Sequence, residues 1–449
     1  MYLVGGYIRD VLLAKCDHQA PKDFDYAVSG GSGFSFAQAL ALELQGHFVP
    51  LDQENDTARV VVEDGTTFDF AGCVGGNIEA DIWRRDFSIN ALFWDPNHPE
   101  IIVDIVGAAA DLKKGVVRAL SETVLVDDPL RMLRAYRFAA KLNFQIDKAT
   151  TSWIAKHHMQ LAQVASERVN YEFFTAMAAP QMGSHLLDMA QSGLLETIFP
   201  ELTATRSVTS NTFHHLALFE HSLETVLQAE KVFAQYRQWS LTDELSHQVT
   251  RFAATKVACL LHDIGKPKTW VITPEGKHTF IGHERLGEEM VADIAERQKW
   301  SRPVERFIAH LVKWHLRPGQ LFHQTLPTQK AIYRFYRQAG SDVPELILLA
   351  LADLGATQGP AMQGSKSEIL HDQLFELFKG FDVYIKESEK IPKLLDGNDV
   401  MQLLKIKPGQ EVGEILLALS EAQECKEVSN RAEAENFVLE LAKKTKRNN

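Results

Sequence analysis

The 449-residue sequence predicts a multidomain α+β protein, with an α/β N-terminal part followed by all-helical parts. Three observations predict it. Short β-rich runs alternate with glycine-rich turns up to about residue 120. Apolar residues recur at helical spacing from about residue 121 onward. The length corresponds to about three domains. A chain that is 45% hydrophobic and 24% charged is ordinary for a globular protein, which excludes collagen-like, disordered and disulfide-scaffold classes.

The first elements follow from local pattern. Phe48-Val49-Pro50-Leu51, Ala58–Val62 and Thr67–Phe70 read as strands, and segment 36–45 as a helix. Gly30–Gly33, Asp64-Gly65 and Gly75-Gly76-Asn77 read as turns. Asp128-Pro129 is a helix start, followed by Leu130, Leu133, Phe138 and Leu142 at helical spacing. Gly193, Pro200 and the Ser/Thr-rich stretch 203–212 read as a linker. A second helical block runs from about 213 to 360 and is broken by Gly355, Gly359-Pro360 and Gly364. The remainder is amphipathic helix with a basic end containing Lys443, Lys444, Lys446 and Arg447.

Compartment and partners are bounded by the same composition. No apolar run approaches the roughly 20 residues that span a bilayer, so no membrane association is expected. Arg9 and Asp10 stand where a signal peptide needs an apolar stretch. Cys16, Cys73, Cys259 and Cys425 lie far apart without a C-x-x-C pair, as expected for buried or free thiols of a reducing, cytoplasmic compartment. The net charge of −12 excludes a wholly basic nucleic-acid coat but leaves room for a local basic groove.

Four local signals in the first 140 residues carry chemistry. In Val4-Gly5-Gly6-Tyr7-Ile8-Arg9-Asp10, glycines at the end of an apolar strand let backbone N–H groups approach a phosphate, and Arg9 adds charge. A plain turn is the alternative. In Asp23-Phe24-Asp25, two carboxylates share one strand face and repel unless a cation lies between them. Mg²⁺ takes such a pair together with substrate phosphates, and two-metal phosphoryl transfer uses it. An isolated pair also fits a solvated turn. Asp69 is a candidate third carboxylate, or an edge-strand acid facing solvent. Arg84-Arg85 suits a triphosphate, since guanidinium forks match phosphate oxygens, and Asn90 suits a ribose hydroxyl. A charged helix start is the ordinary alternative. Asp128 and Arg131 share a helix face and together present acceptor and donor groups to a base edge, or simply pair with each other.

In this order the signals resemble the tRNA nucleotidyltransferases of the bacterial and eukaryotic class. These are the CCA-adding enzymes, with the bacterial poly(A) polymerases as relatives. Asp104-Ile105-Val106-Gly107 with Asp111-Leu112 is similar to the family's hinge motif, Asp127-Asp128-Pro129-Leu130-Arg131 to its nucleotide-selecting motif, and Glu167–Glu172 to its neck-stabilising motif. The resemblance implies a nucleotidyltransferase head of DNA polymerase β-like fold over 1–120 and a helical neck over 121–205. It implies Mg²⁺ on Asp23 and Asp25, with Asp69 as the further catalytic acid. The implied nucleotide-binding set is Gly5, Gly6, Arg9, Arg84, Asp86, Asn90, Asp128, Arg131, Arg134 and Arg137. The partners implied are CTP, ATP and the acceptor stem and 3′ end of a tRNA, gripped by shape and phosphate. Two departures stand out. Asp127 replaces a usual Glu, and the segment between Asp69 and Arg84 is short. A short segment is similar to the partial enzymes that add only CC or only A.

Between 213 and 360, His221, His262-Asp263, His283, His315 and Asp353 recur on helical segments. Histidine with carboxylate suits a divalent transition metal. Any one of these histidines alone reads as a satisfied surface or core residue. The order resembles the HD phosphohydrolase superfamily. That resemblance implies an HD domain over 206–365 holding Mn, Ni, Fe or Co on His221, His262, Asp263 and Asp353, with His283 and His315 completing a second site. A metal-bound water would attack a phosphoester, and Lys266 would hold the phosphate. Residues 366–449 form a helical tail with RNA contact open. His214, His215, Lys156, His157 and His158 are scattered, and the arginines of 131–137 form the most concentrated positive patch. The rivals are a poly(A) polymerase, an HD hydrolase with an RNA-binding head, and a non-catalytic RNA-binding module.

Overall fold

The computed structural model describes residues 1–13, 22–209, 216–236, 241, 243–246, 249–323, 326–357 and 365–447, with side chains up to Lys443. Cys16, His214, His215, Gly359-Pro360, Gly364 and the 210–212 end of the expected linker lie outside the described residues, as do the side chains of Lys444, Lys446 and Arg447. The chain divides into two compact units. One is Met1–Thr203 with Glu296–Trp300; the other is Ala204–Ala295 with Ser301–Asn449.

The first unit begins with β1 (Tyr2–Val4), α1 (Gly6–Leu12), β2 (Asp23–Val28), α2 (Gly33–Glu43), β3 (His47–Asp52), β4 (Thr57–Val61) and β5 (Thr67–Gly72). After α3 (Ile78–Trp83) come β6 (Phe93–Trp94), β7 (Ile102–Val103) and α4 (Ala108–Lys114). The strands form one sheet in the order β3-β4-β5-β2-β1-β6-β7. Among the described residues of this sheet only β2 and β5 are parallel partners, aligned with Asp25 opposite Asp69. Alternation sorts the two faces. Val28, Ala58, Val60 and Phe70 pack with Ala37 and Ala41 of α2 on one face. Ala27 packs with Ile78 and Ile82 of α3 on the other, and Asp23, Asp25 and Asp69 lie on this second face by their register.

The expected strands form where alternation placed them. The helix expected over 36–45 starts earlier, because Ser32 caps it by accepting from Ser35 N–H. Asp56 adds a second tie. At the turn between β3 and β4 it accepts from Gly33 N–H, Phe34 N–H and the Ser32 hydroxyl at 2.6, 3.1 and 2.7 Å. The short segment between Asp69 and Arg84 is packed structure. It holds the turn Val74–Gly76 and α3, with Asn77 accepting from Glu79 N–H as the cap.

The helical remainder of this unit holds α5 (Glu122–Asp127), α6 (Leu130–Leu142), α7 (Lys148–His157), α8 (Ser166–Ala178), α9 (Met182–Gln191) and α10 (Leu194–Ile198), with a two-residue ribbon of β8 (Val116–Val117) and β9 (Gln145–Ile146). Leu130, Leu133, Phe138 and Leu142 are buried, as their spacing predicts. Pro200–Ser207 forms a 3-10 helix, so the expected linker is structured over this part.

The second unit contains α11 (Leu218–Gln235), β10 (Glu244–Ser246), β11 (Val249–Thr250), α12 (Arg251–Leu261), α13 (Lys266–Thr269), β12 (Val271–Ile272), β13 (His278–Thr279), α14 (His283–Gln298) except its last three residues, α15 (Arg302–Trp314), α16 (Arg317–Gln320), α17 (Gln329–Ala339) and α18 (Val343–Ala356). The helix α12 is central, with Phe252 through Leu261 all buried. It packs against α11, α15 and α18. Gly355 does not break α18, contrary to the sequence expectation. The helix runs on to Ala356, and a Cβ on Gly355 would lie 3.1 Å from Gln228 Oε1. The tail comprises α19 (Ser365–Ser388), α20 (Gly397–Leu404), α21 (Gln410–Glu424) and α22 (Arg431–Arg447). It has its own core around Val400, Ile415, Leu419 and Val438. No helix of the described residues is long and apolar enough to cross a membrane.

Candidate active sites in the head and the helical unit

Gly5, with φ +80°, ends β1 against the carboxylate pair. A Cβ there would lie 2.6 Å from Asp25 Oδ2, so the approach requires glycine. Asp23 is exposed and accepts from the Thr67 hydroxyl at 2.6 Å. Asp25 lies between Asp23 and Asp69 in charge as well as position. The protein around it and the Asp69 carboxylate push its pKa up, against the pull of Arg85 and Arg59. Asp69 is held at both oxygens by Arg59, which sequence reading had placed only as a strand residue. β5 is an interior strand, so Asp69 is not an edge-strand acid.

A second cluster forms around Asp86. Its carboxylate takes Arg134 Nη2 at 2.7 Å, the Asn90 amide at 3.1 Å and Phe87 N–H at 2.8 Å. Asn90 Oδ1 accepts from Arg9 Nη1 at 2.7 Å, and all three of Arg9, Asp86 and Asn90 are buried. Arg137 pairs with the buried Glu172 at 2.6 Å, and Arg134 reaches the same carboxylate at 3.8 Å. Burial works to raise the Asp86 pKa, but Arg134, Asn90 and the Phe87 amide prevail and hold it below the usual carboxylate value. Its stabilising effect is therefore complete above the unfolded value of about 3.9 and fades as acid titrates through the lower folded value. Asp86→Ala is expected to cost about 3 kcal/mol, because it leaves the Arg134 guanidinium without its partner. A lowered first thermal transition at pH 7 measures it.

The remaining predicted residues are exposed or half-buried. Arg84 is exposed and Arg85 half-buried, the latter bonded to Asp81 at 3.2 Å. Arg131 Nη1 donates to Arg84 O and Val124 O at 3.0 and 3.2 Å and lies 3.9 Å from Asp128 through Nε. Arg168 reaches Asp128 at 3.5 Å. Asp104 accepts from four consecutive backbone N–H groups, Val106 through Ala109, and so fixes the start of α4.

In the helical unit the six predicted residues come together from five helices or their ends. His221 is on α11, His262-Asp263 follow α12, His283 opens α14, His315 follows α15 and Asp353 is on α18. All but Asp353 are buried. His221 Nε2 lies 3.1 Å from Asp353 Oδ1 and 3.4 Å from His262 Nε2. Asp263 points one oxygen at His262 and the other at His283, each at 3.2 Å, with His315 at 3.6 Å. Two ligand groups result, His221-His262-Asp263 and Asp263-His283-His315, joined through Asp263. Backbone carbonyls of Cys259, Phe280 and Val312 take Nδ1 of His262, His283 and His315 at 2.7–2.8 Å. That arrangement leaves Nε2 as the lone-pair atom aimed into the cluster. Burial works against charge on Asp263 and Asp353, yet the histidines, and Lys266 at 2.5 Å from Asp263, hold both well below the usual carboxylate range. Convergent Nε2 atoms and buried carboxylates are the donor set of a divalent metal.

Two cavities have volumes of about 410 Å³ each, one in the tail beside Leu416 and Leu419 and one between α17 and the tail beside Tyr333 and Tyr384. They gather no metal-ligating set among the described residues. Arg59 and Glu172 are the functional candidates that the sequence alone did not isolate. The alternation of β4 carried a signal for Arg59, whereas its register against Asp69 did not.

Comparison with known proteins agrees with this geometry. The descriptions "Poly A polymerase head domain", "Probable RNA and SrmB- binding site of polymerase A" and "HD domain" match residues 70–118, 143–205 and 218–354. An A-adding tRNA nucleotidyltransferase of Deinococcus radiodurans is 33% identical, over 99% of this chain and 96% of its own. A CC-adding tRNA nucleotidyltransferase of Thermus thermophilus is 30% identical, over 97% and 92%. The structure of a Thermotoga maritima CCA-adding enzyme complexed with tRNA shares the fold, with a TM-score of 0.64 at 22% identity over 98% of this chain and 91% of that one. With its head, neck and HD matches in this order and relatives aligned over nearly their full length, the chain belongs to the tRNA nucleotidyltransferase family.

Proposed function

We propose that this protein adds CMP, AMP or both from CTP and ATP to the 3′ end of tRNA without a nucleic-acid template, in a head over 1–120 and a neck over 121–205. The observation that carries the reading is the row of carboxylates on β2 and β5 beside Gly5, on the sheet face that α3 packs against, with Arg84-Arg85 directly following that helix. Asp23 and Asp25 would hold Mg²⁺, which supplies charge neutralisation of the triphosphate and activation of the attacking 3′ hydroxyl. Arg84 and Arg85 take phosphate oxygens. Arg131, already anchored on two backbone carbonyls, holds its fork beside Asp128 so that the pair meets one base edge. Asp86, Asn90, Arg9, Arg134, Arg137 and Glu172 brace that surface, since their polar atoms bond one another. Rigid donors placed in advance are what such catalysis needs.

The packed segment between Asp69 and Arg84 favours a partial enzyme. Ile78 and Ile82 anchor α3 in the head core, so this stretch has little freedom to rearrange between C and A addition. Relatives of both partial types align over nearly the whole chain. Labelled CTP and ATP, separately and together, offered with transcripts ending at the discriminator base, after C and after CC, test the reading. C alone or A alone identifies a partial enzyme. C on the first and A on the third identifies complete CCA addition. No incorporation on any transcript removes the proposal.

A second activity is favoured by the buried His/Asp cluster of the HD part, over 206–365. Its two ligand groups would hold divalent metal that activates water against a phosphoester, with Lys266 at the anion side.

A further inference from the structure

Arg59 is opposite Asp69 across the β4–β5 pairing. Asp69 is opposite Asp25 across the β5–β2 pairing. Arg59, Asp69 and Asp25 therefore stand in one row across three strands, and strand alternation puts Asp23 on the same face. Arg59 Nε and Nη2 donate to Asp69 Oδ1 and Oδ2 at 2.7 and 2.8 Å, a two-point fork that fixes the plane of the carboxylate and uses both of its oxygens. Among the described residues Asp23 and Asp25 have no such clamp: Asp23 accepts one hydroxyl, and both are exposed.

We propose that Arg59 is a positioning residue for nucleotidyl transfer, holding Asp69 as an oriented, charge-compensated neighbour of Asp25 and keeping it out of the cation's ligand shell. The proposal rests on the nucleotidyltransferase reading above. Mg²⁺ is used by such sites through one or two carboxylates plus substrate phosphates, with the remaining positions left for water or substrate. A third free carboxylate 
in this row would bind the cation tightly before substrate arrives and compete with the triphosphate. Clamped by Arg59, Asp69 contributes its charge to the site without that competition. The guanidinium also offsets part of the repulsion that three acids on one face generate. Its own pKa is raised by the Asp69 bond, as expected for a fork that stays charged and closed.

The test uses the 449-residue chain carrying His262→Ala and Asp263→Ala, so that Mn²⁺ added as a probe reports the head. Mn²⁺ affinity is read by electron paramagnetic resonance without nucleotide. Arg59→Met is expected to tighten it about tenfold, because a freed Asp69 joins the ligand set. Arg59→Met with Asp69→Asn is expected to return it to the starting value. Arg59→Lys, which keeps the charge but offers no planar fork, is expected to fall between. In Mg²⁺, Arg59→Met is expected to lower kcat for nucleotide incorporation about 10- to 100-fold and to raise the KM for CTP or ATP, because the freed Asp69 competes with the triphosphate for the cation. A brace that only joined β4 to β5 would lower thermal stability and leave Mn²⁺ affinity alone. Unchanged Mn²⁺ affinity in a folded Arg59→Met or Arg59→Lys protein overturns the proposal. So does an Asp69→Asn variant that weakens Mn²⁺ as much as Asp25→Asn does. If the protein with its native head incorporates no nucleotide, it is the nucleotidyltransferase reading that fails.

Discussion

Asp25→Ala is expected to lower nucleotide incorporation by at least about 1,000-fold, equivalent to roughly 4 kcal/mol of lost transition-state stabilisation. The loss comes with no loss of fold. Desolvation by the protein packed around it and the Asp69 carboxylate push the Asp25 pKa up in the folded protein. For an acid with a raised folded pKa, the ionised form is disfavoured by folding, so its contribution opposes stability at neutral pH. Removing the carboxylate relieves that repulsion, and the variant is expected to melt at the same temperature as the parent or slightly higher. An inactive protein of undiminished stability is the signature of a group held in place for chemistry. Steady-state incorporation measured beside a thermal melt reads both outcomes on one preparation.

Asp263→Ala is expected to have the second-largest effect, on the other unit. Asp263 is the residue shared by both His/Asp groups, so its removal is expected to empty both. His315→Ala removes a ligand from one group and is expected to reduce bound metal by about half. Metal content by mass spectrometry separates the two. Hydrolysis of a 2′,3′-cyclic phosphate is expected to fall about 1,000-fold in Asp263→Ala, the scale of losing a metal-activated water. Asp263→Ala also leaves Lys266 and His262 without their buried partner, so some loss of stability accompanies it. His315→Ala keeps Asp263 in place and therefore tests the metal assignment with less damage to the core.

Much of this was legible in the chain because its signals are local. The period-two pattern of Ala58–Val62 and the 3.6-residue pattern from Leu130 to Leu142 correspond to β4 and α6. The histidines and aspartates between 221 and 353 were separable from ordinary core residues only as a set, and the structure brings that set together, all but Asp353 buried. What escaped depends on partners distant in sequence. Register decides that Arg59 meets Asp69, and no pattern within β4 encodes it. Glu172 stood in a recognisable motif, yet its pairing with Arg137 follows from how α6 and α8 pack. Gly355 looked like a helix breaker because glycine is a poor helix former. In α18 it meets Gln228 of α11 closely, and a Cβ there would make that side chain shift by a few tenths of an ångström. Pro200–Ser207 looked like a linker from composition, while its backbone bonds close a 3-10 helix.

The most direct test of two separate chemistries in one chain is a crossed assay. Labelled CTP and ATP incorporation into the three tRNA transcripts and hydrolysis of a 2′,3′-cyclic phosphate are measured on three proteins: the parent, Asp23→Ala/Asp25→Ala, and His262→Ala/Asp263→Ala. The account predicts that the first double variant loses incorporation and keeps hydrolysis, and that the second loses hydrolysis and keeps incorporation. Incorporation that survives in the Asp23→Ala/Asp25→Ala protein would contradict the account at its centre.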